Sequence, residues 1–440
     1  MGAFMFNFSS KNIKFMYKSI LYLITAFLLS NTIFAQKLTQ IEQKIITQIN
    51  AQLPQTEALL KKVVNINSGT LNKEGVREVG AIFRKEFDDL GFKTEWVSLP
   101  DSLNRAGHLV AERKGKKGKK LFLIGHLDTV FEKVMSFTPY TYLNDSTVTG
   151  QGVNDMKGGD IVLLAALKVL KDNGLLDDTN LTVYFTGDEE SAGKPTSISR
   201  KDFIDRAKQC EVALGFETAI GLNTVATARR GSSGWKLNVK GIMGHSSTIF
   251  SQQAGYGAIY EAARILNEFR EKLSQEKYLT FNPGLIMGGS EIDDNKVAIG
   301  KDNIISPRVT VSGDLRFLTE TQKENARVKM KEIVSRNLNK TKAEIVFQDG
   351  IPSMEPTPEN EKVLSVLNQV SLDLGFGEVK AGDPGSRGAG DISYIAKYVA
   401  CLDGLGASGR GAHAPGETMN MKEFPKLIQR TALLIYRLTR

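Results

Sequence analysis

The run Leu121-Phe122-Leu123-Ile124-Gly125-His126-Leu127-Asp128-Thr129 decides the architecture. Four consecutive large apolar residues with no polar alternation describe a strand buried on both faces, and such strands belong to sheets covered by helices on each side. His126 then stands at the strand's C-terminal end, where open α/β sheets place their sites. In extended backbone, residues two apart face the same way, so Asp128 is expected to accept the second ring N–H of His126 and fix its tautomer. The chain has only three other histidines, His108, His245 and His413.

Outward from this strand, helices and strands alternate. Residues 38–66 and 74–90 carry helical apolar spacing, and Gly91 stops the second helix. Strand-like runs follow at 93–99 and 108–112. Beyond the deciding strand come a helix at 161–173 closed by Gly174 and a strand at 181–186. This predicts an α/β fold with a mostly parallel central sheet. The basic stretch 113–120, with Gly115 and Gly118 inside it, reads as a solvated hairpin turn.

Residues 231–349 have a different texture. Strands at 235–239, 278–281, 308–316 and 343–347 interleave with helices at 256–273 and 321–338, the β-α-β-β-α-β order of a ferredoxin-like α+β sandwich. The α/β texture resumes at 359–374 and 392–402. The expected organisation is therefore a larger α/β unit in two parts, 36–230 and 350–440, with a smaller α+β unit, 231–349, inserted between them.

Composition excludes several classes. With 440 residues, 41% apolar and 24% charged, the chain is neither disordered, collagenous nor a coiled coil. Residues 1–35 read as a cleavable secretory signal: lysines up to Lys18, an apolar run at 20–29 and Ala35 at a small-residue cleavage site. That run is too short to span a bilayer, which takes about 20 residues. The mature protein is thus expected in the periplasm or outside the cell, without a stable membrane span. Setting aside Lys11, Lys14 and Lys18 leaves 54 basic against 49 acidic side chains, too thin an excess for a nucleic-acid surface. Cys210 and Cys401 are too few for a disulfide scaffold or a thiolate metal cluster. One bridge between them is compatible with the sequence, and core thiols are the simpler reading.

The acidic candidates also follow strands. Asp155, in Gly152-Val153-Asn154-Asp155-Met156-Lys157-Gly158-Gly159-Asp160, lies just before a helix, where alone it would read as a turn or capping aspartate. The strand at 181–186 runs into Gly187-Asp188-Glu189-Glu190. Adjacent side chains diverge there, so one glutamate can bind a metal while its neighbour reaches an activated water. A further strand at 212–216 delivers Glu217. Carboxylates massed in one crevice repel each other unless cations neutralise them, and a pair of divalent ions does so.

Taken together, His126-x-Asp128, Asp155-Met156-Lys157-Gly158-Gly159, Glu189-Glu190, Glu217 and His413 resemble the signature of the dinuclear zinc metallopeptidases. That family includes glutamate carboxypeptidase, aminoacylase, acetylornithine deacetylase and succinyl-diaminopimelate desuccinylase. The resemblance implies one Zn2+ on His126, Asp155 and Glu217 and a second on Asp155, Glu190 and His413, with Co2+ or Mn2+ as substitutes. It also implies Glu189 as general base, a cis Asp155–Met156 peptide and a homodimer in which His245 reaches the partner's site to stabilise an oxyanion. Asn303 and Arg316 resemble groups that hold the substrate's oxyanion or carboxylate, and Arg387 matches a loop near the site. The implied activity is a secreted carboxypeptidase acting on short peptides or N-acyl amino acids. An N-acyl-amino-acid amidohydrolase is the alternative, and a non-enzymatic binding protein on the same fold is the rival from another class. Glutamate-releasing members carry a lysine soon after the counterpart of Glu217, and residues 218–228 contain none.

Three features point elsewhere. Gly404-Leu405-Gly406-Ala407-Ser408-Gly409 is a literal G-x-G-x-x-G, yet Ala414-Pro415-Gly416 denies it the helix a dinucleotide site requires. Its glycines are expected to bend the loop that brings His413 inward. His108 reads as a partly buried structural residue, and Arg229 and Arg230 as hinge or substrate groups.

Overall fold

The computed structural model describes residues 38–293 and 297–440, so the leader read in residues 1–35 lies outside them. The chain opens with α1 (Gln40–Val64), started by a reciprocal capping box between Thr39 and Glu42. Next come α2 (Lys73–Asp89), β1 (Lys93–Val97), β2 (His108–Arg113), β3 (Lys117–His126), α3 (Lys157–Asp172), β4 (Thr179–Thr186) and β5 (Val212–Gly215). The inserted unit comprises β6 (Gly231–Lys240), α4 (Gly257–Leu273), β7 (Thr280–Gly289), β8 (Arg308–Phe317), α5 (Glu320–Ser335) and β9 (Lys342–Asp349). The chain returns through α6 (Pro358–Asp373), β10 (Ala400–Leu402) and α7 (Phe424–Leu438).

The central sheet has the order β1-β2-β4-β3-β5-β10. Strands β4, β3, β5 and β10 run parallel, while β1 and β2 form an antiparallel edge. Alternate residues of β3 feed two cores, as a strand covered on both faces must. Leu121 and Leu123 pack with Leu181, Val183 and Phe185 beneath the helices, whereas Phe122 and Ile124 join Tyr184, Phe203, Ile395 and Cys401 on the other side. The fold class read from the sequence is the observed one.

The inserted unit is a four-stranded antiparallel sheet ordered β7-β8-β6-β9, the strand arrangement of a ferredoxin-like sandwich. Trp235, Leu237 and Val239, alternate residues of β6, pack against Ala258, Ile265 and Phe269 of α4 and Met330 of α5. The two connections to the larger sheet run side by side. Arg229 and Met354 exchange both backbone hydrogen bonds, at 2.9 and 3.0 Å, and Ser232 donates to the Ile351 carbonyl at 2.8 Å.

Some local expectations need correction. Stretch 113–120 is not a hairpin, because β4 lies between β2 and β3. Its second half extends β3, and Gly118 sits so close to Thr439 that a Cβ would lie 2.2 Å from that residue's backbone. Residues 392–402 contain one short helical turn, Asp391–Tyr394, before β10. Beyond residue 402, where no element was expected, lies α7. Both cysteines are free thiols, Cys401 buried and Cys210 partly so. Among the described residues no helix is long and apolar enough to cross a membrane.

Candidate metal centre

Three neighbouring parallel strands end at one point. His126 is the last residue of β3, Glu189 and Glu190 lie just past β4, and Glu217 lies just past β5. Asp155 arrives on the turn before α3, and His413 on a loop between the short strands Gly409–Arg410 and Thr418–Asn420. The Asp155–Met156 peptide is cis.

Nε2 of His126 lies 3.3 Å from Oδ1 of Asp155 and 3.8 Å from Oε1 of Glu217. Nε2 of His413 lies 3.2 Å from Oδ2 of Asp155 and 3.0 Å from Oε2 of Glu190. Zinc bonds at tetrahedral angles place donor atoms roughly 3.3 Å apart. The two oxygens of Asp155 thus face two different imidazoles, each with one more carboxylate beside it. The second oxygen of Glu190 is buried without a hydrogen-bond partner among the described residues. This donor set fits two divalent cations sharing Asp155. Donor atoms of Glu189, His126 and Glu217 also lie within 4.8 Å of one another, so Glu189 faces the same point.

The charge balance agrees with that fit. Burial and the charge of Glu217 push the Glu189 carboxyl well above its usual range, and burial and Asp155 push Glu217 up to about 7. Burial opposes ionisation of Asp155, yet His126 and His413 hold its pKa below the usual carboxylate range. Hydrogen bonds to Asp155 and Glu190 raise His413 to about 11. Protons therefore stand in for the positive charge that this cluster demands, and cations displace them on binding.

The expected role of Asp128 is corrected in detail. Nδ1 of His126 meets the backbone carbonyl of Asp128 at 3.0 Å, while the nearer carboxylate oxygen is 3.5 Å away. That carboxylate instead accepts the N–H groups of Glu189 and Glu190, at 3.0 and 3.1 Å, and the Thr70 hydroxyl at 2.6 Å. Asp128 therefore fixes the turn that carries both glutamates. The same turn is braced by fully buried Arg200, which donates to Asp188 at 2.5 Å and to Asp391 at 2.7 Å. Asp391 in turn accepts the hydroxyl of Thr186, the last residue of β4.

Sequence reasoning missed Arg200, Asp391 and Glu417, all buried charged residues. The carboxylate of Glu417 accepts three backbone N–H groups of the Asp155 turn. The one sequence signal for it is an acid four residues after His413. Asp160 lies under β3, fully buried with neither carboxylate oxygen hydrogen-bonded among the described residues, and burial pushes its pKa well up.

The remaining predicted residues fall at different places. His245 is exposed on the inserted unit, next to Asn303, whose carbonyl accepts the Ser246 N–H at 2.9 Å. Among the described residues, no hydrogen bond or ion pair joins His245 or the Asn303 side chain to the five metal-ligand candidates. Arg316 pairs with Asp314 at 2.7 Å, and both line a cleft of about 840 Å³ that also contains Glu189 and Glu190. Arg387 donates to the carbonyl and hydroxyl of Thr218, beside Glu217. Arg229 bridges Asp403 and the carbonyls of Gly388 and Ala389, and Arg230 reaches the Gly385 carbonyl. Both arginines thus brace the loop bearing Arg387. His108 is wholly buried, with Nε2 3.0 Å from the Ser199 carbonyl and Nδ1 accepting the Gly187 N–H. The G-x-G-x-x-G run lies against the end of β5, where a Cβ on Gly406 would stand 1.9 Å from the Phe216 carbonyl oxygen.

A parallel sheet whose strand ends converge on two imidazole–carboxylate sets, under an inserted α+β unit, defines a metal-dependent hydrolase. The chain belongs to peptidase family M20/M25/M40, whose model matches residues 122–437. Carboxypeptidase G2 of Pseudomonas sp. (strain RS-16) is 27% identical over 94% of this chain and 95% of its own. Succinyl-diaminopimelate desuccinylase of Rickettsia bellii is 26% identical over 84% of this chain and 93% of its own. Among solved structures, aminopeptidase PepT from Bacillus cereus superposes with a TM-score of 0.71 at 18% identity, covering 88% of this chain and 99% of that one. The Bacillus subtilis YXEP protein, described as a dinuclear metal binding peptidase from the M20 family, gives 0.63 at 13% identity, covering 89% and 99%.

Proposed function

We propose that this protein is an exported dizinc exopeptidase, a carboxypeptidase cleaving short peptides or N-acyl amino acids at their C-terminal residue. The observation that carries the reading is Glu189. It is a half-buried glutamate with raised proton affinity, it faces the donors of His126 and Glu217, and it shares a cleft with Arg316. Zn2+ held by His126, Asp155 and Glu217 and by Asp155, Glu190 and His413 would supply Lewis acidity and make water acidic near neutral pH. Glu189 takes the proton of the attacking water and delivers it to the leaving amine. The guanidinium of Arg316 suits a substrate carboxylate because its fork binds both oxygens, and Arg387 offers a second anionic contact. His245 and Asn303 supply donors to the tetrahedral oxygen from a partner subunit.

Exposed Phe250, Ile259 and Tyr260 and Ile286 of edge strand β7 support a second copy on the inserted unit. The leader read in residues 1–35 supports export, and the near full-length similarity to carboxypeptidase G2 supports the substrate class. The same machinery would serve an N-acyl-amino-acid amidohydrolase, and the missing lysine in 218–228 fits a pocket not restricted to glutamate. The test is product analysis on dipeptides and N-acyl amino acids, with and without chelator. Release of the C-terminal amino acid, abolished by chelator and impaired in KM by Arg316→Ala, is expected. Unchanged substrate in every zinc-supplemented reaction would refute the reading.

A further inference from the structure

Glu417 is only 2% exposed and touches the Asp155 turn with every acceptor it has. Its Oε1 accepts the N–H groups of Asn154 and Asp155, both at 2.7 Å, and its Oε2 accepts that of Gly152 at 2.8 Å. Its backbone carbonyl accepts the Thr149 hydroxyl at 2.7 Å and the Gly150 N–H at 3.4 Å. Its own N–H closes the loop bearing His413 by donating to Ala414 at 3.2 Å.

Strand pairing holds that loop at its base, where Gly409–Arg410 pairs with Thr418–Asn420 and Thr418–Asn420 with Thr147–Thr149, but not at its tip. The His413 side chain is 60% exposed, its backbone lies at φ +64°, and the loop's remaining backbone hydrogen bond runs from Ala414 to Gly411 within it. Apart from His413 itself, the contacts that join residues 411–417 to the turn at 149–155 converge on Glu417. We propose that Glu417 is a positioning residue that sets the spacing between Asp155 and His413, and so governs occupancy of the cation site formed by Asp155, Glu190 and His413. This rests on the two-cation reading above. The other site depends on it less, because His126 and Glu217 extend from β3 and β5, whose ladders fix them independently.

Glu417→Gln preserves shape and keeps an oxygen for Asn154 and Asp155, but sets an amide N–H against the N–H of Gly152. The experiment is calorimetric titration of the metal-stripped protein with Co2+, with wild type alongside. The variant should bind the second cation about 10- to 100-fold more weakly and the first, which shares Asp155, with a clearly smaller loss. Its kcat should fall at unchanged KM and recover as Co2+ is raised. Equal affinity for both cations in variant and wild type overturns the proposal, as does equal weakening of both sites. Should Glu417→Gln fail to fold, Thr149→Val removes only the hydroxyl bond to the Glu417 carbonyl. It should weaken the same second cation by a smaller factor and the first by less still, and an unchanged second affinity overturns the proposal there too. A wild type that binds only one Co2+ would instead sink the two-cation reading beneath it.

Discussion

The centre is made of two halves held by different means. His126, the Glu189–Glu190 pair and Glu217 stand at the ends of adjacent parallel strands, where the sheet's hydrogen-bond ladder fixes the backbone and buried partners aim the side chains. Asp155 and His413 stand on turns beyond the ends of a small separate ladder, and the buried carboxylate of Glu417 ties the two turns together. The contrast teaches that a strand end presents a ligand as a by-product of folding, whereas a loop ligand needs an anchor of its own.

The largest effect should come from the strand half without moving any ligand. Glu189→Gln is expected to lower kcat by about 10²- to 10⁴-fold. Elemental analysis should find the wild-type cation content, and loss of metal would mean that Glu189 belongs among the ligands. Arg200→Met attacks the brace beneath the same half. It leaves Asp188 and Asp391 buried without their cation and should cost about 3–5 kcal/mol in urea unfolding. A cost below about 1 kcal/mol would show that the turn does not depend on that network.

Asp160 gives a pH-dependent version of the comparison. Its pKa is raised in the folded state, so the unfolded chain releases the proton first as pH rises past the ordinary aspartate value near 3.8. Folding stability is therefore lost through this group as pH climbs from there towards the folded value. In metal-stripped protein, Asp160→Asn should gain stability at pH 7. The gain should shrink towards zero near pH 4, and urea titrations at the two pH values measure it. The smallest effect pairs two threonines. Thr70→Val removes the hydroxyl bond to Asp128 and should cost about 1 kcal/mol with both cation affinities unchanged, unlike Thr149→Val in the loop half.

The strand half was the legible one. An unbroken apolar run identifies β3, period and order identify the inserted sandwich, and the C-terminal ends of parallel strands point to His126, Glu189, Glu190 and Glu217. What the sequence hid depends on long-range pairing. Interposition of β4 between β2 and β3 is a tertiary choice. The carboxylate of Asp128 serves the Glu189 and Glu190 N–H groups, 61 and 62 positions away, a pairing that residue spacing does not encode. Arg200 and Asp391, 191 positions apart, look like ordinary solvated charges until the fold buries them together. Glu417 likewise reads as a polar loop residue, since its partners lie more than 260 positions away.

The paired connections between the two sheets have an engineering consequence. Because Arg229 and Met354 are locked together as neighbours, the chain enters and leaves the inserted unit at nearly the same spot. The intervening unit behaves as a cassette: excising residues 232–350 and sealing the gap with a tight turn severs no rung of the central ladder. Such a miniature would carry all five cation donors on one compact scaffold, ready to accept a foreign cap.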